Sequence, residues 1–547
     1  MLLQNSFNMT DHSEGWGSKI GLVLAMAGNA VGFGNFLRFP IQAIQNGGGA
    51  FIIPYLVCFV LLGLPLVFVE WTMGRWGGQR GHHSTPFAME KMGKKKIWRY
   101  LGGFSFFTTI GIASYYCYLE SWTITYLYHS IIGTFRGMSQ SEITLFFNHY
   151  HDMSSTHSGI PYENVIAFLF CLALNVWILT RGLKGGIEVV AKYGIPLLII
   201  LGIFLAIRGV MIQPGEVGAV AYGYEGLNFL WTPQYDSLLN PKVWLAAAGQ
   251  IFFTLSVGLG TVQCYASYVR SNEDIALKAV STSFVNESVE IVLGGTILIS
   301  IAVGFFGIDA VRDLVANEGG FGIAFQTMPF LFQKFGTVAG TFTSVAFFGL
   351  LFIAGITSSL AMGSPLVSFL QDEFQFKKRN ASLIVGAAIL IFGLPTVLFF
   401  KEGVFDEYDY WAGTVGIFFF ATLQTILFSW VYGADRGWKE FNRAAEIKLP
   451  NIFKYIIKYI TPVMLITIFI AAFIQPAGGD WSVIWKGGWE LDGSSVLGRM
   501  LGKGSRETGI YTTLARYFLL GLLTLSILAI YIASRRKEKS KNLKTRK

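Results

Sequence analysis

The sequence predicts an all-α polytopic membrane protein, and three observations carry that prediction. Of its 547 residues 53% are hydrophobic, 16% aromatic and only 14% charged, with a mean hydropathy of +0.51. Soluble domains carry roughly 25% charged residues because water must cover them. The apolar residues also gather into runs approaching the ~20 residues that a helix needs to cross a bilayer, as at 52–69, 195–207 and 518–533. Finally, the basic residues alternate between loops. Segment 77–99 holds Arg80, Lys91, Lys94, Lys95, Lys96 and Arg99, whereas 129–161 holds only Arg136. Short loops rich in Lys and Arg stay cytoplasmic, so the net charge of +9 is a topology signal rather than a nucleic-acid footprint.

About twelve spans follow, at 19–39, 49–76, 100–128, 162–180, 187–210, 243–270, 284–306, 338–370, 381–400, 409–433, 455–474 and 511–534. An even count puts both termini on one side, and the Lys/Arg bias makes that side the cytoplasm. The expected organisation is a polar N-terminal tail (1–18), a single transmembrane domain (19–534) and a basic C-terminal tail (535–547). The first eighteen residues lack the basic start and apolar core of a cleaved signal peptide. Cys58, Cys117, Cys171 and Cys264 lie within apolar runs without metal or disulfide spacing, and the histidines avoid the spans.

Two spans are unusual inside. The first carries Gly28-Asn29-Ala30-Val31-Gly32-Phe33-Gly34-Asn35 and the sixth Ser256-Val257-Gly258-Leu259-Gly260. Clustered glycine beside polar residues lets a helix unwind. Unwound backbone in hydrocarbon is costly unless it lines a polar cavity, so something hydrophilic is expected there. Spans one and six open successive blocks of five. Such a pattern predicts a secondary transporter with two inverted five-helix repeats (19–210 and 243–433), broken at the midplane, plus two further helices (455–534).

The same residues resemble the neurotransmitter:sodium symporter family. The likeness runs from Gly28 through Arg38-Phe39-Pro40 to Asn46-Gly47-Gly48-Gly49-Ala50-Phe51, then Tyr115-Tyr116, Glu120-Ser121-Trp122 and Gly249-Gln250-Ile251-Phe252-Phe253-Thr254-Leu255-Ser256. It continues with Ser267-Tyr268, Asn286-Glu287, Thr357-Ser358-Ser359 and Asp409-Tyr410-Trp411-Ala412-Gly413. The resemblance implies sodium-coupled symport of an amino acid by a chain that is no enzyme, in the plasma membrane of a bacterium. The expected partners are a neutral amino acid, membrane lipid and a second copy in a homodimer, without nucleic acid.

It also implies a site. The substrate carboxylate would meet Gly32, Phe33 and Gly34 at the positive end of a broken helix, with the Tyr116 hydroxyl. The ammonium would face carbonyls of Ala30, Phe253 and Thr254 and the Ser256 hydroxyl. Ile112, Phe253, Leu259, Ser358 and Met362, with Ala113 and Val257 nearby, would form the side-chain pocket. One sodium would take Ala30, Asn35, Thr254 and Asn286 together with the substrate; a second would take Gly28, Val31, Ala354, Thr357 and Ser358. Arg38 would pair with Asp409 as outer gate above Phe253, and the stretch 319–332 would cap the vestibule. Asp372 and Tyr268 would serve the inner gate. Glu290 stands where chloride-dependent members carry a serine, so no chloride is required and proton antiport is expected. Glu70 and Glu120 are read as ties between helices.

Three departures sharpen the reading. The inner-gate arginine of the family is Ser13 here, which leaves Asp372 without its usual partner. Gly32 stands where monoamine carriers have Asp, which favours an amino acid. The pocket residues are apolar apart from Ser358, which favours a neutral, hydrophobic one. A non-transporting sensor with the same fold is the alternative.

Overall fold

In a computed structural model, residues 15–153, 160–216, 218–233, 235, 238, 240–503 and 509–545 are described; side chains of 317, 318 and 540–545 are excepted. Ser13, at the missing inner-gate arginine, lies outside the described residues. Helices dominate, and among the described residues the extended contacts are two isolated bridges.

The first helix, α1 (Lys19–Ala30), begins at Ser18, whose hydroxyl accepts the Gly21 N–H. It stops where Val31 turns extended, and the chain resumes as α2 (Gly34–Gln45) with its axis bent by 45°. Then come α3 (Gly49–Gly78), α4 (Thr85–Gly93), α5 (Phe104–Ile132), α6 (Gln140–Tyr150), α7 (Tyr162–Gly182) and α8 (Glu188–Val210). The next helix, α9 (Pro241–Thr254), stops at a second interruption before α10 (Thr261–Ser267). There follow α11 (Ile275–Phe306), α12 (Ile308–Gly322), α13 (Thr337–Phe374), α14 (Lys378–Leu398), α15 (Val404–Phe441), α16 (Ile452–Phe473) and α17 (Ile510–Thr545).

Among the described residues, eight helical stretches are long and apolar enough to cross a membrane, or nine with the bent α1–α2 pair taken as one. The expected third span, α5, is less apolar than these because Ser, Thr and Tyr recur along it. Nearly all of them are buried, including Ser105, Thr108, Ser114, Tyr115 and Tyr118. A helix wrapped by protein need not be apolar toward lipid, so hydropathy understates it.

Small residues set the spacing around α5. A β-carbon on Gly111 would come within 2.7 Å of Ala412 on α15, and one on Gly393 of α14 within 2.8 Å of the Ser114 carbonyl. Such positions let membrane helices approach closely. Isoleucine, valine, leucine, phenylalanine and tyrosine face outward from α7, α8, α16 and α17, for example Ile166, Ile200, Val463 and Tyr517. An outer belt of this kind suits hydrocarbon and would be a liability in water.

Candidate functional site

The two interruptions face each other across the centre of the molecule. The last carbonyls of a helix have no partner within it. Those of Gly28 and Asn29, with that of Val31 just past the helix end, turn toward hydroxyls: Ser256 donates to Asn29 at 2.8 Å, and Ser358 lies 3.2, 3.4 and 3.4 Å from Gly28, Asn29 and Val31. On the α9–α10 side, Ser256 (φ 52°), Gly258 (78°) and Gly260 (82°) take the left-handed conformation that ends the helix. The freed Gly258 N–H donates to Glu70 Oε1 of α3 at 2.7 Å. Glu70 is therefore more than a helix tie: its carboxylate satisfies a donor exposed by the break.

Between the breaks lies a cavity of about 20 Å³ lined by Ala30, Gly32, Gly34, Ile112, Tyr116, Phe253, Ser256, Leu259, Ser358, Met362 and Ile417. Tyr116 accepts the Phe33 N–H at 3.1 Å, so its hydroxyl sits at the N-terminal donors of α2. A β-carbon on Gly32 would collide with that hydroxyl and approach Ser358 Oγ to 2.8 Å. The Phe33 side chain points elsewhere: it packs against Tyr116 with ring centroids 4.8 Å apart and planes tilted by 33°, and lines the space above, while its backbone faces the site.

Beside the cavity is a buried polar cluster. The Asn35 amide lies 3.2 Å from Thr254 Oγ1, 3.0 Å from Asn286 Oδ1 and 3.3 Å from Glu290 Oε2, and its Oδ1 accepts the Gly32 N–H at 2.8 Å. Thr254 donates to Glu290, and Gln250 donates to Glu290 Oε1 at 2.6 Å. Thr357 Oγ1, 3.2 Å from the Ala354 carbonyl, lies on α13 next to Ser358 and against Gly28. Carbonyl, amide and hydroxyl oxygens of this kind are what hard cations prefer. Among the described residues no group of three or more His, Cys, Asp or Glu gathers as a transition-metal site.

Above Phe253 opens a vestibule of about 260 Å³ walled by Leu37, Arg38, Gln42, Tyr115, Gly319, Phe321 and Asp409, among others. Gly319 and Phe321 bring part of the expected cap to its rim. The ion pair expected between Arg38 and Asp409 is not formed among the described residues. The Tyr115 hydroxyl donates to Asp409 Oδ1 at 2.7 Å, and the Arg38 guanidinium lies 4.6 Å from the centre of the Phe253 ring. Arg38 and Asp409 both line the vestibule, and each is engaged by a different partner. On the opposite face, Asp372 and Tyr268 approach the loop after α3. Glu120 joins Asn175 and Ser359, at 3.0 and 2.8 Å, and links three helices.

Three participants escaped the sequence reading. Ile417 is one apolar residue in an apolar run and carries no signal. Asn29 contributes a carbonyl, which every residue has. Gln250 was legible: an amide inside a span, four residues before Thr254, shares that residue's helix face.

Comparison with known proteins matches this architecture. The model of the sodium:neurotransmitter symporter family fits residues 13–136 and 134–485. A sodium-dependent transporter of Methanocaldococcus jannaschii is 31% identical over 83% of this chain and 89% of its own, and one from Haemophilus influenzae 30% identical over 83% and 97%. The sodium-dependent nutrient amino acid transporter 1 of Drosophila erecta is 27% identical over 85% of this chain and 78% of its own. The crystal structure of MhsT in complex with L-phenylalanine superposes with a TM-score of 0.71 at 27% identity, covering 84% of this chain and all of MhsT. With the broken helices, the oxygen cluster and the apolar outer belt, these matches make the chain a multi-pass membrane transporter, not an enzyme, that belongs to the sodium:neurotransmitter symporter family.

Proposed function

We propose that the chain is a symporter that uses two sodium ions to import neutral, hydrophobic amino acids by alternating access, without chloride. The observation that carries the cargo class is the lining of the central cavity. Ile112, Leu259, Met362, Phe253 and Ile417 surround it, and no charged side chain is among the lining residues. The α-carboxylate would take the Tyr116 hydroxyl and the α2 N-terminus above Gly32; the ammonium would take the Ala30 carbonyl and Ser256. The cavity is small, so the Phe253 ring and the Met362 thioether must move to admit cargo, and methionine is a residue that adapts its shape. The MhsT complex with L-phenylalanine supports an amino acid as cargo.

One sodium would bind at Ala30, Asn35, Thr254 and Asn286 against the substrate carboxylate. That shared ligand makes each improve the other's binding. The second would bind at Gly28, Val31, Ala354, Thr357 and Ser358. At roughly 100 mV and a tenfold gradient two sodium ions supply about 7.4 kcal/mol, enough for a concentration ratio near 10⁵ at full coupling. Glu290 already supplies the negative charge beside the first site, so chloride has no role. Its protonation once sodium has left would carry a proton outward on the return step. Both termini would face the cytoplasm.

Binding of labelled neutral amino acids to purified protein, in sodium and in potassium without chloride, tests the reading. Sodium-dependent binding of an apolar amino acid, followed by uptake into proteoliposomes, is the expected result. Sodium-indifferent binding would overturn symport. Sodium-dependent binding without uptake would favour the sensor.

A further inference from the structure

The cytoplasmic side lacks the arginine that closes it in the family, because Ser13 holds that position, yet Asp372 is not left idle. Its Oδ2 accepts the His83 N–H at 2.8 Å. The His83 ring lies flat on Tyr268, centroids 4.2 Å apart and planes 8° apart, and its Nδ1 is 3.0 Å from Ser267 Oγ. One residue of the loop after α3 therefore touches both sides of the inner closure: Ser267 and Tyr268 at the end of α10, and Asp372 at the end of α13. The Tyr268 hydroxyl continues the link to Ser368 on α13 at 2.9 Å. The loop is pressed in place, since Gly78 abuts the Ser267 carbonyl with no room for a β-carbon.

We propose that His83 is the inner-gate residue of this transporter, a positioning residue that pins α10 to α13 through its backbone N–H and its ring. The inference rests on the alternating-access reading. Any inward opening must part Tyr268 from Asp372, and His83 bridges them. The backbone bond to Asp372 survives every side-chain substitution, so the ring's share can be removed alone. The Asp372 carboxylate thus has a partner that needs no N-terminal arginine.

Cys264 reports the opening. It is buried on α10, with Sγ 3.4 Å from Ser368 Oγ, next to the closure. With Cys58, Cys117 and Cys171 changed to Ser, maleimide labelling of Cys264 is followed in sodium and in potassium, alongside binding of labelled amino acid. An aromatic stack of ordinary strength predicts that His83→Ala raises the labelling rate in sodium ~3–10-fold. His83→Phe, which keeps the stack, should stay close to the parent. Should His83→Ala not yield monodisperse protein, His83→Asn removes the stack alone and should show the same rise. Parental labelling in His83→Ala and His83→Asn, or a rise in His83→Phe as large as in His83→Ala, overturns the proposal. Labelling of the parent that ignores sodium would instead sink the sodium-coupled reading, while the ratio of His83→Ala to parent still reads the inner closure.

Discussion

The side-chain amide of Gln250 on α9 donates to Oε1 of Glu290 on α11 across 2.6 Å, while Asn35 and Thr254 address Oε2. Each of these three side chains offers a donor to the carboxylate. Taking the carboxylate away leaves buried donors unmet, at about 1–3 kcal/mol each. Glu290→Ser should therefore bind substrate in sodium at least tenfold more weakly without chloride than with it. Equilibrium binding in chloride and in gluconate decides this. Equal affinity in both would sink the assignment of Glu290 as the fixed anion.

Gly32 is a matter of space. A β-carbon there would meet the Tyr116 hydroxyl and lie 2.8 Å from Ser358 Oγ. That crowding displaces the Tyr116 hydroxyl offered to the carboxylate, so Gly32→Ala should weaken substrate binding about tenfold or more, and overpacking of about 1–3 kcal/mol should also lower the melting temperature by about 1–3 °C. Unchanged affinity would place the carboxylate elsewhere.

Phe253 divides the small central cavity from the vestibule, and its ring is covered by Arg38 at 4.6 Å. Phe253→Ala should merge the two spaces and speed substrate release at least tenfold. Arg38→Lys should give a smaller effect in the same direction, because an ammonium lacks the flat face that stacks on a ring. Dissociation of labelled substrate into excess unlabelled substrate measures both.

Glu70 accepts the Gly258 N–H at the second interruption. Glu70→Gln keeps an acceptor and should fold with near-parental stability. Glu70→Leu leaves the amide unpaired at a cost of about 1–3 kcal/mol and should lower the melting temperature in detergent by about 1–3 °C. Equal melting of the two variants would show that the bond contributes nothing.

His82, in the loop after α3, is mostly buried. Burial first, then the nearby Lys537 and Lys91, holds its imidazole down at about 4. Its 3.9 Å approach to Glu373 is therefore not an ion pair above that pH. The unfolded chain takes up this proton near pH 6.5 and the folded one near 4, so stability should fall as pH drops through that window. His82→Asn should flatten this part of the melting profile. A profile unchanged by the substitution would remove His82 as its source.

How much was legible follows from how local each property is. Membrane class, helical content and the glycine-rich places where α1 and α9 end were readable along the chain. A bilayer demands a fixed apolar length, and glycine alone moves freely into the left-handed region at Gly258 and Gly260. Asn35, Thr254, Ser256 and Ser358 were singled out by resemblance to the family rather than by polarity, because a hydroxyl in an apolar helix usually bonds back to the preceding turn. What the chain did not disclose is which distant groups meet. Gln250 reaches Glu290, Ile417 closes the cavity, Tyr115 rather than Arg38 holds Asp409, and His83 reaches Asp372 across a separation of 289 residues. Those pairings depend on helix approach distances of a few ångströms, set by packing at small residues such as Gly78 and Gly111. One-dimensional periodicity carries no information at that scale, so the tertiary structure alone decided them.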